Sequence, residues 1–326
     1  MYKRQAGWIA TTVNYSWPLA LGAFSMTIIA RAFRGQPIRW HHALCSLLAL
    51  LYAANVEQMC ILLLAVFGTT LLVQLRTRRA SGKVTAWLSI HFAIILAELV
   101  FILTCPGNQY RTLAETQTWN PSFAQLQLGQ KLQLGIVDTL YVLQSSWIVL
   151  YGLLCFLLLF LAWRQRKTQP LTLLAACIPF GSACIYSVLG FRRYGLHVFM
   201  RFITAENQAY ELSFFALIQS LIVLGCLCFV LFQLYRTDKQ TGCLMVGVLL
   251  LGGATRAVLG FSPTLYVSSG RTFLFLYACV VWIDAMLIQN MLCSLQQKNR
   301  RIAITAVALL VGFFVLTTTY VLLRMA

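Results

Sequence analysis

The stretch that decides the architecture runs from Asn55 to Cys105. It reads NVEQ (55–58), MCILLLAVFGTTLLVQL (59–75), RTRRASGK (76–83) and VTAWLSIHFAIILAELVFILTC (84–105). Each apolar run approaches the roughly 20 residues that a helix needs to cross the hydrocarbon of a bilayer. A polar turn precedes the first run and a basic cluster divides it from the second. Lys and Arg gather on cytoplasmic connections, so the pattern describes two antiparallel spans with Arg76, Arg78, Arg79 and Lys83 inside and Asn55 to Gln58 outside.

Working outward, the same alternation covers the chain. Apolar runs predict spans over 17–33, 43–55, 59–75, 84–105, 146–163, 171–190, 212–234, 243–261, 272–293 and 302–323. The second is short for a full crossing. The basic groups Arg31/Arg34/Arg39, Arg164/Arg166/Lys167, Arg236/Lys239 and Lys298/Arg300/Arg301 fall on alternate connections. The expected fold is therefore an all-α, polytopic transmembrane helical bundle of about ten spans. The long outer segment 106–145 is expected to hold an interfacial helix over 122–141, although Leu126-Gln127-Leu128 and Leu132-Gln133-Leu134 alternate with the period of a strand.

Composition agrees. Of 326 residues, 60% are hydrophobic and 10% charged, which leaves no room for a soluble domain of useful size. The net charge of +17 sits in short clusters between apolar runs and not on one surface, which argues against a nucleic-acid partner. The eleven cysteines follow no metal-ligand or disulfide spacing, so no metal site is expected. Nothing in the sequence names a cofactor. Residues Met1 to Gln5 are what GTG TAT AAG AGA CAG would encode, a string resembling the end of a transposon-type sequencing adaptor. They are set apart from the fold as a scar, leaving 6–326 as a single membrane domain expected to lack its natural N-terminus.

Function is expected on the outer side, where connections are longer and mix Asn, Glu, Gln, Tyr, Trp and Arg. Arg111, Lys131, Arg192, Arg193, Arg201 and Arg271 lie there against the charge bias. A phosphate or pyrophosphate on a lipid would favour them, because guanidinium forms paired charge-assisted hydrogen bonds to such oxygens. For any single one, an arginine facing lipid headgroups is the equal alternative. Within the spans, Glu98, Arg256 and Asp284 are polar, and Arg256 is expected to pair with Glu98 or Asp284. Pro106-Gly107 is expected to stop the fourth span and turn the chain, leaving Asn108, Tyr110 and Arg111 at the membrane surface.

Four local patterns converge on that face: Asn14-Tyr15-Ser16-Trp17-Pro18, Ala54-Asn55-Val56-Glu57-Gln58, Pro106-Gly107-Asn108 with Arg111, and Ser262-Pro263-Thr264 followed by Tyr266, Ser269-Gly270 and Arg271. In that order they resemble a family of uncharacterised bacterial multi-spanning proteins, itself similar to the Gtr-type glucosyltransferases and more distantly to GT-C membrane glycosyltransferases. The resemblance covers most of the chain, from Asn14 to about Asp284. It implies a lipid-linked sugar donor carried on polyprenyl phosphate, a cell-surface glycan or polymer as acceptor, and a catalytic Asp or Glu in the first outer loop. That loop would precede Ala6. Glu57 is the acidic candidate that remains, with a helix-start role as its alternative. Arg111 and Arg271 would hold the phosphate, while Asn14, Glu57 and Asn108 would hydrogen-bond sugar hydroxyls. Trp17, Tyr110 and Tyr266 would offer stacking faces, and Tyr15, Asn55 and Ser262 are further candidates for substrate contact. The rival expectation is a transporter, flippase or polymerase-type protein, for which Gly252-Gly253 and Pro179-Phe180-Gly181 would break helices.

Overall fold

The computed structural model describes residues 12–77, 82–145, 148–191 and 214–295, with short helical pieces at 304–305, 307–309 and 311–312. The expected tenth span, Arg192, Arg193 and Arg201 fall largely or wholly outside the described residues. Among the described residues the chain is almost entirely helical and holds no strand. By length and composition six helices can cross a membrane: Thr12–Phe33, Glu57–Thr77, Gly82–Thr104, Ala216–Leu234, Lys239–Phe261 and Arg271–Cys293. A seventh crossing exists if Leu128–Gln144 and Val149–Arg164, bent by 84° at their junction, act as one span. This is a multi-pass membrane protein, with fewer full-length spans among the described residues than the ten expected. Length explains part of the difference: Trp40–Ala54 has 15 residues, or about 22 Å at 1.5 Å per residue, short of a hydrocarbon core about 30 Å thick.

Helices are numbered here as α1 (Thr12–Phe33), α2 (Trp40–Ala54), α3 (Glu57–Thr77), α4 (Gly82–Thr104), α5 (Pro106–Trp119), α6 (Leu128–Ser145), α7 (Ile148–Arg164), α8 (Pro170–Phe191), α9 (Phe214–Leu234), α10 (Lys239–Ala257) and α11 (Leu274–Ser294). The chain divides into two compact units. One holds the residues through Ala124 together with Ser262–Phe275, and the other holds Gln125–Phe261 with the residues from Leu276 onward.

In the first unit α1 packs on α2, α2 on α4 and α3 on α4. α1 is not regular. It begins as a π-helical turn over Thr12–Ser16 and breaks at Met26, where Ile29 N donates to Met26 O and not to Ser25 O. The Ser25 carbonyl so released accepts instead from Ser46 Oγ of α2 at 3.1 Å. Ser46 Oγ also lies 2.9 Å from His91 Nε2 of α4, whose Nδ1 is 2.8 Å from Trp87 O. Phe67 of α3 stacks on the His91 ring, 5.3 Å between centroids. A buried chain of small polar groups thus ties three helices together, with a ring from the fourth laid over it. Ser46→Ala is expected to cost about 1–3 kcal/mol by leaving two buried groups unpaired, read as a lower thermal midpoint in detergent; an unchanged midpoint would show the chain to be inessential.

The fourth span ends just before Pro106, as expected, and the same proline then opens a further helix. α4 ends at Thr104, Cys105 is extended, and Pro106 opens α5 as its first residue. Its missing N–H costs nothing there and its fixed φ suits a helix start. Asn108 Nδ2 donates to Ile102 O at 3.0 Å, satisfying a carbonyl at the C-terminal end of α4.

In the second unit α7 packs on α8, α8 on α9, α9 on α10, and α6 on α10 and the 3-10 turn Val258–Phe261. The segment expected to be a helix lying in the interface is a 3-10 turn, Pro121–Gln125, followed by α6. The strand-like alternation does not prevail, because Gln130 Oε1 accepts from Gln127 N and Gln127 O from Lys131 N, closing the first helical turn. α6 is embedded in the unit, with Leu134, Val137, Asp138, Thr139 and Leu140 buried. Two glycines permit this approach. A Cβ on Gly135 would collide with the Ala257 carbonyl, and one on Gly260 with the Lys131 carbonyl, both backbone atoms that cannot step aside.

Arg256 is 1% exposed and pairs with Asp138, its Nη2 2.6 Å from Asp138 Oδ2. This corrects the expected pairing with Glu98 or Asp284. Removing one partner strands a buried charge, so Asp138→Leu is expected to destabilise by about 3–5 kcal/mol, and Asp138→Leu with Arg256→Met to recover most of the loss. Thermal unfolding of the two variants in one detergent checks this.

Candidate functional site

Every residue expected to touch donor, acceptor or reacting atoms belongs to the first unit. α2 ends at Ala54 and α3 begins at Glu57, so Asn55 and Val56 form the turn between two antiparallel helices. A carboxylate in the first turn of a helix is favoured by the helix dipole, which accounts for Glu57 locally. Its partner comes from α5: Arg111 Nη2 lies 3.5 Å from Glu57 Oε1, and Arg111 Nε lies 3.6 Å from Glu115 Oε1, one turn farther along α5. The Arg111 and Glu57 side chains are 57% and 41% exposed. The structure thus brings together the acid and one of the two cations singled out in the sequence, and adds Glu115, which sequence reasoning passed over although Arg and Glu four apart on a helix is a recognisable pair.

Next to Glu57, Gln58 is buried and its Nε2 donates to Thr272 O at 3.0 Å. That bond fixes the start of α3 against the segment carrying Arg271. Arg271 is partly buried, and its Nε is buried with no hydrogen-bond partner among the described residues. Preceding it, Ser262 Oγ and Thr264 Oγ1 share a 2.9 Å hydrogen bond, Thr264 N donates to Ser262 Oγ at 3.4 Å, and Ser268 Oγ donates to Thr264 Oγ1 at 3.3 Å. Ser262 is therefore engaged in holding its own turn, as Asn108 is engaged in capping α4. The side chain of Tyr266 lies outside the described residues.

The aromatic candidates separate by contact. Tyr15 approaches Phe275 at 6.4 Å between centroids and Trp17 approaches Tyr52 at 6.3 Å, while the Tyr52 hydroxyl donates to Val13 O at 2.9 Å. These contacts join the start of α1 to the end of α2 and the start of α11. Asn14, Asn55 and Tyr110 are exposed.

The intramembrane residues stand apart. Glu98 of α4 is half-buried and near enough to Cys60 of α3 to act on it electrostatically. Arg256 and Asp284 belong to the second unit. The partner of Arg256 went unrecognised in the sequence, yet a signal exists: Asp138 stands beside Val137 and one turn beyond Leu134, on the apolar stripe of α6, where an acid requires a counter-charge. Among the described residues no cluster of His, Cys, Asp and Glu could hold a metal ion.

No family model matches the chain, and neither a curated protein nor a solved structure does. The site stands on its geometry. Because exposed ion pairs contribute about 0–1 kcal/mol, Arg111→Ala and Glu57→Gln are each expected to leave the thermal midpoint of the purified protein within a degree or two. A collapse of folding in either variant would recast the pair as structural.

Proposed function

We propose that this chain is a GT-C-like membrane glycosyltransferase that moves a sugar from a polyprenyl-phosphate donor to a cell-surface glycan or polymer on the outer face of a bacterial cytoplasmic membrane. The observation that carries the reading is the meeting of Glu57 with Arg111, an accessible carboxylate and an accessible guanidinium held side by side by different helices. Transfer requires a group that accepts the proton of the acceptor hydroxyl as that oxygen bonds to the sugar's anomeric carbon. It also requires cations for the lipid phosphate, which departs with the electron pair of the broken carbon–oxygen bond.

The ion pair suits both requirements in sequence. In the resting protein Arg111 neutralises Glu57 weakly, across water. An arriving phosphate offers Arg111 a stronger, bidentate partner. Exchange of partners frees Glu57 to take a proton, so donor binding itself prepares the base. Arg271, whose Nε has no hydrogen-bond partner among the described residues, supplies the second cation. Trp17, Tyr110 and Tyr266 offer stacking faces for the sugar, with Asn14 and Asn55 near its hydroxyls.

The transporter, flippase or polymerase-type alternative loses its sequence argument. α8 continues through Pro179 and α10 through Gly252-Gly253 without a break.

Incubating the protein in membranes with labelled polyprenyl-phosphate hexose is expected to give transferred label. Arg111→Ala and Arg271→Ala should each reduce transfer by about a hundredfold or more, as loss of an oxyanion-stabilising donor does, with expression unchanged. Transfer that survives both substitutions would remove the phosphate clamp, and absence of transfer by the unaltered protein would favour the rival.

A further inference from the structure

Asp284 lies near the middle of the Arg271–Cys293 span, is 3% exposed, and belongs to the second unit. Both carboxylate oxygens are buried, and neither has a hydrogen-bond partner among the described residues. The buried cation of the unit is already engaged, since Arg256 pairs with Asp138 at 2.6 Å. An ionised carboxylate in that position would carry an uncompensated charge in the least polar part of the molecule.

Its surroundings are not uniformly apolar. The Asp284 carboxyl is close enough to Cys155 of α7 to act on it electrostatically, and Tyr151 lies one turn earlier on α7. The Tyr151 hydroxyl lies 3.0 Å from Ser182 Oγ and donates to Pro179 O at 3.4 Å, and Ser182 Oγ also donates to Pro179 O at 2.7 Å. Gln144 Nε2 approaches Tyr151 at 3.5 Å. Tyr151, Ser182 and Gln144 thus form a hydrogen-bonded polar cluster in the second unit, one helical turn from Cys155.

The other titratable groups on the neighbouring elements supply no compensating charge. Among them are Cys184 on α8, Cys279 and Tyr277 on α11 itself, and Tyr235 just after α9. On α6 and α10 Asp138 and Arg256 pair with each other, and Lys131, Arg164 and Lys239 sit near the ends of α6, α7 and α10.

We infer that Asp284 is a membrane-interior proton-binding site, occupied at neutral pH. A proton fits better than a metal ion. Sodium or potassium would require several oxygen ligands, and among the described residues no cluster of carboxylates gathers around this one. The site is independent of the transfer chemistry proposed above, because every group in it lies in the other unit.

A hydrophobic carbodiimide tests this, since it attacks the protonated acid from within the bilayer. The protein in membranes, treated with dicyclohexylcarbodiimide at pH 7 and mapped by mass spectrometry of its peptides, is expected to carry the adduct on Asp284 and not on the water-exposed Glu57. An ordinary carboxyl is protonated only about once in a thousand molecules at that pH. Labelling should vanish in Asp284→Asn and fall as the pH is raised. It should not respond to sodium or potassium at constant pH, and a water-soluble carbodiimide should leave Asp284 unmodified. An unlabelled Asp284 in the unaltered protein at pH 7, or label suppressed by either cation, would overturn the assignment whether or not the variant folds.

Discussion

A polar group inside a bilayer has only the protein to bond with, and most of this structure can be read as the consequence. Apolar contact costs little to rearrange in a medium as apolar as the side chains, so helices are held in register by polar bonds that have no alternative partner. The Ser25 carbonyl shows the principle at its smallest. A break in α1 at Met26 frees it, a serine on the next helix takes it up, and the same serine meets a histidine on a third. Arg256 and Asp138 show it at its largest, with a full pair of opposite charges joining α6 to α10 at 2.6 Å.

The same constraint determines which parts of the fold were readable in advance. Apolar length and basic punctuation located α3 and α4 to within two residues at each end, because hydropathy responds to the bilayer and not to tertiary detail. Segments whose polarity is mixed were read only in part. Pro106 ends one helix, as expected, and also begins another, since proline suits either boundary. The helix expected over 122–141 is present as α6, preceded by a 3-10 turn, and it is packed within its unit. Its acid was overlooked while Glu98 and Asp284, in plainly apolar runs, were singled out. Pairing is a relation between distant positions, and one sequence shows that an acid on an apolar stripe needs a counter-charge without showing which one.

Of the residues proposed to act on a substrate, the structure distinguishes those already committed from those still available. Asn108 caps α4, Ser262 holds a turn, and Gln58 fastens α3 to Thr272. Each explains a polar residue in a conspicuous motif without invoking a ligand. Such motifs persist in the sequence as chemistry-rich signals even where the chemistry is architectural. What remains after these assignments is a smaller and more specific set: Glu57, Arg111 and Arg271, with Asn14, Asn55 and the aromatic side chains around them.

The contrast between Arg256 and Arg111 bears on which of the two the proposed transfer can use. Arg256 is shut in with Asp138, and breaking that pair would strand two charges away from water, so it cannot be exchanged during a reaction cycle. Arg111 is exposed and holds its two carboxylates at 3.5 and 3.6 Å, beyond the span of a tight charge-assisted bond. An interaction that weak is the kind that the proposed exchange with a phosphate requires, and a buried pair at 2.6 Å is not.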